Sequence, residues 1–342
     1  MTQGPIYIGG LDRCGKTTMR DFLASHPNIA IPAVGSNMWT YFYGQFGDLS
    51  EEDNFERCLE ALLHYKHVRF LQPDPERIRR EFWQGSPTYA RLFSLFLIHY
   101  AERQGKPRWG AQTGLIERYA DQLFAAYPDL KIIHMVRDPR DRYEASLARW
   151  PNGKGRAGGA SARWLYSMNL AERHLRRYPE QYKIVRFETL VEDTEETLKD
   201  VCAFLGETYV PEMLSMEGAP KHRDKLIGDA ELEPGQSPLS PQYVGRFRQN
   251  VPRREIAFMQ QQLGNKMRAY GYRLEPIEFS KAERVSFALI DWPNQWVRML
   301  AWRTVEAVQH NLGGLLGRKP GERMIIEAPL TPKAQAQAGQ GK

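Results

Sequence analysis

Pro5 to Gly9 (PIYIG) is an apolar run of β-branched and aromatic residues closed by Gly9-Gly10. Such a run, bounded by glycine, predicts a buried strand that enters a turn. From Thr17 to Ser25 (TTMRDFLAS) the apolar positions Met19, Phe22 and Leu23 share one helical face, and Pro27 stops the pattern. From Ile29 to about Pro107 the periodicity is helical, with aromatic-rich loops. Ser50, followed three residues later by Asp53, reads as a cap for a helix over Phe55 to Tyr65. Tyr89 to Gln104 is amphipathic and closed by Gly105, and a third helix is expected from about Leu115 to Tyr127, before Pro128. Leu130 to Val136 (LKIIHMV) and Tyr182 to Phe187 (YKIVRF) read as strands, with a long helix between them from about Ala160 to Tyr178. Asp193 to Leu205 has an acidic first turn and ends at Gly206, matching both ends of a helix dipole. Strands alternating with helices predict an α/β fold, a parallel sheet with helices on both faces, over residues 4–275.

The pattern changes beyond this core. In Glu283 to Leu316 the apolar positions Val285, Leu289, Trp296, Leu300, Val305, Val308 and Leu312 recur at near-helical spacing, interrupted by Pro293, with Arg298 and Arg303 off the stripe. Residues 276–317 are therefore expected to form an amphipathic helical extension. It can dock on the core, pair two subunits or lie on a membrane surface through residues 283–316. Residues 318–342 turn to Pro, Gly, Gln, Ala and Lys, the composition of a disordered tail.

Composition narrows the class without choosing a chemistry. The 342 residues are 42% hydrophobic and 26% charged, as in an ordinary globular protein. The net charge of +6 favours anionic partners, and being mild and spread out it does not choose among phosphates, sulfates, nucleic acid and acidic lipid. Cys14, Cys58 and Cys202 are far apart and lack the spacing of a zinc or redox motif, which fits a reducing compartment. No signal peptide pattern and no apolar window of membrane-spanning length occur, so a cytoplasmic protein, at most peripheral to a membrane, is expected.

Gly10 to Thr17 (GLDRCGKT) fits G-x-x-x-x-G-K-[ST] and sits between a predicted strand and a predicted helix. Glycines let the backbone approach an anion, and successive N–H groups at a helix N-terminus then point at phosphate or sulfate oxygens. Arg13 and Lys16 add charge. Such a cradle serves NTP chemistry, with Thr17 on a magnesium ion, and equally sulfuryl transfer, which needs no metal. The next strand separates them. Where an NTPase usually carries an acidic residue, Ile132 to Val136 runs into Arg137-Asp138-Pro139-Arg140-Asp141. An arginine at the C-terminal tip of a strand sits where open α/β sheets bind ligands and offers a bidentate grip on phosphate. Ser146 lies nine residues on and can donate to the same anion.

With these segments in view, the chain resembles the PAPS-dependent sulfotransferase family, whose donor is 3′-phosphoadenosine-5′-phosphosulfate (PAPS) and whose nucleotide product is PAP. Gly10 to Pro27 is similar to that family's 5′-phosphosulfate loop, Lys131 to Ser146 to its 3′-phosphate segment, Val185 to Leu205 to its strand-then-helix module, and Val244 to Arg248 (VGRFR) to its late Gly-Arg segment. The resemblance spans about residues 5–275 and implies a P-loop-like three-layer fold. It implies that Arg13 touches the bridging oxygen and sulfate, that Cys14, Gly15, Lys16, Thr17 and Thr18 hold the 5′-phosphate, that Arg137 and Ser146 hold the 3′-phosphate, and that Gly245, Arg246 and Arg248 add late contacts. Three departures stand out. Lys16 replaces a usual threonine, Arg137 and Ser146 are one residue further apart than is common, and Gln112 in Trp109 to Thr113 (WGAQT) replaces a lysine. Lys16 is therefore a candidate catalytic residue, taking over from the missing lysine.

The residues name no general base: His134 and His26 read as structural, and Glu117 is a weak candidate. The acceptor pocket is expected within residues 33–110, where Trp39, Tyr41, Phe42, Tyr43 and Phe46 either stack on a ring or pack in the core. The expected partner is a carbohydrate, glycolipid or other small-molecule acceptor, and not nucleic acid. The alternative is a nucleoside or nucleotide kinase using ATP and magnesium.

Overall fold

Ile6, Tyr7 and Ile8 are fully buried, as a strand must be when it lies at the centre of a sheet with helices on both faces. The computed structural model describes residues 4–220 and 239–312. Along the chain come β1 (Ile6–Gly9), α1 (Lys16–Ser25), β2 (Ile29–Ala30), α2 (Glu52–His64), α3 (Pro75–Phe82), α4 (Tyr89–Arg103), β3 (Arg108–Gln112) and α5 (Ala120–Ala126). Then follow β4 (Lys131–Val136), α6 (Pro139–Arg149), α7 (Ala157–Arg177), β5 (Tyr182–Arg186), α8 (Thr194–Leu205), α9 (Arg253–Ala269) and α10 (Trp292–Leu312), with shorter helical turns between them. Among the described residues the strands form one five-stranded sheet in the order β2-β3-β1-β4-β5, every pairing parallel.

The chain thus runs from β1 to one edge, returns through β3, and crosses to β4 on the other side of β1. In open α/β sheets ligands bind where strand order reverses in this way, outside the carboxyl ends. The register aligns Gly9 with His134, so the turn after β1 and the turn after β4 emerge side by side. Local chemistry fixes both turns. Asp138 caps α6 by accepting from the Arg140 N–H at 2.9 Å, and Pro139 takes the first helical position, where no N–H partner is needed.

Several sequence expectations need correction. Residues 29–107 are not wholly helical, because β2 lies at their start; just beyond them the WGAQ segment, to which the sequence reading gave no element, is strand β3. Neither element carries a long apolar run, and parallel pairing with neighbours far along the chain makes them strands. Ser50 caps nothing; Glu51 holds the cap position of α2 without a side-chain bond, and the Ser50 N–H donates to Asp48 instead. Leu115 to Tyr127 divides into a 3₁₀ turn (Ile116–Tyr119) and α5.

The C-terminal extension does dock, but not by the expected stripe. Phe287 and Met299 face inward with Gln295, while Val285, Leu289, Trp296, Leu300, Val305 and Val308 are exposed, Leu289 to 72%. A π-helical turn over Phe287–Asp291 breaks the helical register. The docked face is also partly polar: Gln295 accepts from the Gly158 N–H at 2.8 Å and donates to the Gly155 carbonyl at 3.0 Å. A Cβ on Gly158 would fall 1.8 Å from the Gln295 carbonyl oxygen, so glycine is what lets α10 seat on α7. The expected tail at 318–342, like the end of the expected helical extension at 313–317, lies outside the described residues.

Candidate functional site

The turn after β1 is built from backbone that most side chains disfavour. Gly10 (φ 103°), Gly15 (φ 94°) and Arg13 (φ 69°) lie in the left-handed region. A Cβ on Gly10 would sit 2.3 Å from the Met135 carbonyl oxygen, and one on Gly15 would sit 2.4 Å from the Phe187 ring. The turn is therefore pressed onto the ends of β4 and β5, and space as well as φ demands glycine. α1 begins with Gly15 at its cap position and no side-chain cap. Its first N–H groups, on Lys16, Thr17 and Thr18, are left with the positive end of the helix, an anion-binding arrangement.

Arg13 is exposed at the crest of this turn. Partial burial, and then the charges of Arg137 and Arg149, hold its guanidinium below the usual arginine range. A cation crowded by like charges gains from an arriving anion. Lys16 behaves differently. Its ammonium is buried and donates to the carbonyls of Gly10 at 2.8 Å and Leu11 at 2.6 Å, with Asp12 at 3.5 Å. It braces the turn from inside. Gln112, at the tip of β3, reaches the Thr17 hydroxyl at 3.4 Å, and its own amide oxygen is buried without a partner.

Arg137 points at the turn. Its guanidinium donates to the Arg13 carbonyl at 3.2 Å and the Tyr243 carbonyl at 2.6 Å and lies over the Phe187 ring at 4.7 Å, while Nε has no partner. The Trp164 indole holds the Arg137 carbonyl at 3.0 Å. Ser146 donates to the Arg142 carbonyl one turn back on α6. Arg142, Ser146 and Arg149 share a face by helical spacing. That face meets the turn, because Arg142 donates to the Asp12 carbonyl at 3.3 Å. Burial, and then Arg163, lower the Arg142 pKa to about 10. The fold therefore brings Arg137 onto the turn that carries Arg13, and adds Arg142, whose place the spacing of charges along the sequence did not reveal; Ser146 lies one helical turn beyond Arg142, bonded within its own helix.

The Gly245 segment is tied to the same helix. Asp141 accepts from the N–H groups of Gly245 at 2.6 Å and Phe247 at 3.0 Å; burial raises its pKa and these two bonds oppose the rise. Arg246 pairs with Glu144 at 3.2 Å and Arg248 with Glu275 at 2.7 Å. Both arginines stand beside the site, engaged by carboxylates.

Beneath the turn lies a buried polar network. Glu117 accepts from the Gly10 N–H at 3.3 Å and from Ser167, while His134 bonds the Tyr182 hydroxyl at 2.9 Å. Burial lowers the His134 pKa, which keeps the ring neutral. Glu117 and His134 are both enclosed: Glu117 holds the turn through the Gly10 N–H, and His134 is bound to Tyr182 at its side. His26 likewise bonds the Thr208 carbonyl at 2.9 Å.

On the flank of the turn a cavity of about 330 Å³ opens against Asp12. Its walls include Asn37, Thr40 and Tyr41, then Gly114, Leu115 and Arg118, and from later helices Arg163, Trp302 and Glu306. Of the aromatic cluster at residues 39–46 only Tyr41 takes part; Trp39 and Phe42 are core residues. Sequence reasoning missed Arg118, Arg163 and Trp302 because they are brought together from separate helices.

A sequence model described as the sulfotransferase family matches residues 5–211, which include the turn, Arg137 and Ser146. No curated protein sequence matches. Among solved structures, the sulfotransferase domain from the Synechococcus PCC 7002 olefin synthase is similar in fold, at 20% identity over 80% of this chain and 97% of that one, with a TM-score of 0.52. The sulfotransferase domain from the curacin biosynthetic pathway aligns at 16% identity, covering 80% and 99%, with a TM-score of 0.49. Retinol dehydratase in complex with retinol and PAP aligns at 12% identity, covering 81% and 84%, with a TM-score of 0.41.

Proposed function

This chain belongs to the sulfotransferase family, and from that premise we propose that it transfers a sulfuryl group from PAPS to an acceptor hydroxyl by in-line displacement. One observation carries the choice of donor: the Arg137 guanidinium lies against the Arg13 carbonyl, so two anion grips meet at the tips of adjacent strands. A bisphosphorylated adenosine has a phosphate for each. The residues fit such a ligand, since α1 opens uncapped, Arg137 keeps an orphan Nε, and Arg13 is exposed among like charges.

In this reading the acceptor oxygen would bond to sulfur as the bond between sulfur and the 5′-phosphate oxygen breaks, PAP would leave with that electron pair, and the hydroxyl proton would pass to solvent water. The N–H groups of Cys14 to Thr18, with the Thr17 and Thr18 hydroxyls, hold the 5′-phosphate, and Arg137 and Ser146 hold the 3′-phosphate. Arg13 meets the bridging oxygen, where charge develops as the bond to sulfur breaks. Gly245, Arg246 and Arg248 close over the nucleotide. The Lys16 ammonium, held on the Gly10 and Leu11 carbonyls, would assist at the sulfate in place of the lysine missing at Gln112 by giving up those bonds. A core over 4–275 with an appended extension, and a cytoplasmic location consistent with three buried free cysteines, complete the reading.

Calorimetric titration tests it. PAP should bind with ATP–magnesium far weaker, Arg137→Ala should weaken PAP about tenfold to a hundredfold, the loss of a charge-assisted phosphate contact, and Lys16→Ala should bind PAP yet transfer radiolabelled sulfate poorly. ATP–magnesium binding more tightly than PAP would end the donor assignment; full turnover by Lys16→Ala would end the role of Lys16.

The outward face of α10 and the turn before it belongs to the same proposal. Leu289, Ile290, Val297 and Leu300 are exposed there, with Arg298 and Arg303 on the flanks. An apolar stripe with a basic rim fits an anionic membrane surface. Among the described residues no helix is long and apolar enough to cross a membrane.

A further inference from the structure

The cavity beside Asp12 has a wall that the family match does not include. The match ends at residue 211, whereas Trp302 and Glu306 come from α10. α10 is placed with care: Gln295 locks it to Gly158, and Met299 is buried beneath it. This seating brings Glu306 onto Arg118 and sets the Trp302 ring edge-on to Tyr166, with ring centroids 5.7 Å apart. Arg118 also lies 5.5 Å from the centre of the Tyr166 ring, and its Nε is buried without a partner.

The chemistry of the walls narrows the occupant. A drug-like or sterol pocket is lined mainly by apolar side chains with a few polar groups. Here Asp12, Asn37, Thr40, Tyr41, Arg163 and Glu306 all line the same space, together with the Trp302 indole. Burial raises the Tyr41 pKa, so its hydroxyl remains a donor. Arg118 is engaged by Glu306 and Lys16 lies near Asp12, while Arg163 forms no ion pair within 4.0 Å among the described residues. One aromatic face ringed by donors and acceptors suits a molecule with many hydroxyls and one flat apolar side.

We propose that α10 completes the acceptor site and that the acceptor is a saccharide. Trp302 stacks on the sugar face, Arg163 and the Arg118–Glu306 pair bond its hydroxyls, and the hydroxyl nearest Asp12 faces the donor turn. The proposal rests on the sulfotransferase reading and deepens it.

Sulfate transfer from radiolabelled PAPS is measured into p-nitrophenyl β-D-glucoside, p-nitrophenyl β-D-galactoside and maltose, against the apolar alcohols octanol and androsterone. At least one saccharide should be sulfated. Trp302→Ala and Glu306→Gln should each raise its KM about tenfold, the effect expected for one lost stacking face or charged hydrogen bond, with kcat changed less than KM and PAP affinity unchanged. Trp302→Phe keeps an aromatic ring against Tyr166 and should recover most of the loss, which guards against simple unfolding. Unchanged KM in both variants, equal losses of PAP affinity, or no recovery with phenylalanine would overturn the role of α10. Absence of transfer to every saccharide would overturn the acceptor class. If the parent protein fails to bind PAP, it is the donor reading that falls, and that result is distinguishable from the others.

Discussion

Glu188, just past the end of β5, fastens the backbone of the residue that follows Arg137. Its carboxylate accepts from the Asp138 N–H at 2.8 Å and from the Tyr272 hydroxyl at 3.2 Å, and burial pushes its pKa up to about 7. A carboxyl whose folded pKa exceeds its unfolded value holds a proton in the native state that the unfolded chain has released. Its contribution is complete below about pH 4.5 and is lost as pH rises to about 7, by at most roughly 3 kcal/mol. Glu188→Gln should therefore flatten the fall in melting temperature between pH 5 and pH 7.5; the same slope in both proteins would contradict this. The position of Arg13 and Arg137 beside the glycine turn was legible in the sequence from the strand–turn–helix context, whereas the inward course of the Lys16 ammonium was not. Arg142 was not, since its value comes from the Asp12 carbonyl, more than a hundred residues earlier in the chain.

At the scale of elements, strands with continuous apolar runs were legible and short ones were not. β1, β4 and β5 announce themselves by composition, whereas β2 has two residues and β3 carries arginine and glutamine. Both are strands because parallel neighbours supply their hydrogen bonds, a tertiary cause that periodicity cannot register. The C-terminal helix shows the same limit. Its more regular apolar stripe faces outward, and its docked side depends on Gln295 and on a glycine in another helix. Gly158→Val should therefore detach α10: limited proteolysis should cut within residues 281–308 faster in the variant, while the melting of the sheet core shifts only a few degrees. Equal cleavage of both proteins would refute this account of the seating.

Across the whole molecule, α10 serves two surfaces at once, a cavity wall inside and an apolar face outside. If that outer face rests on lipid, the full chain should float with vesicles containing anionic phosphatidylserine and not with neutral ones, and Leu289→Glu with Val297→Glu should abolish flotation. Sedimentation as a dimer that the same changes dissociate would assign the face to a second copy instead. The site itself draws on the entire length of the core. Its backbone turn begins at Gly10, its main arginine is at 137, and the carbonyl that steadies this arginine is that of Tyr243. A chain emerging from the ribosome consequently lacks the carbonyl that steadies Arg137 until residue 243 has been made. A fragment truncated before Tyr243 would keep Arg137 on the Arg13 carbonyl but lose its shorter bond, and should hold that guanidinium less firmly over the turn.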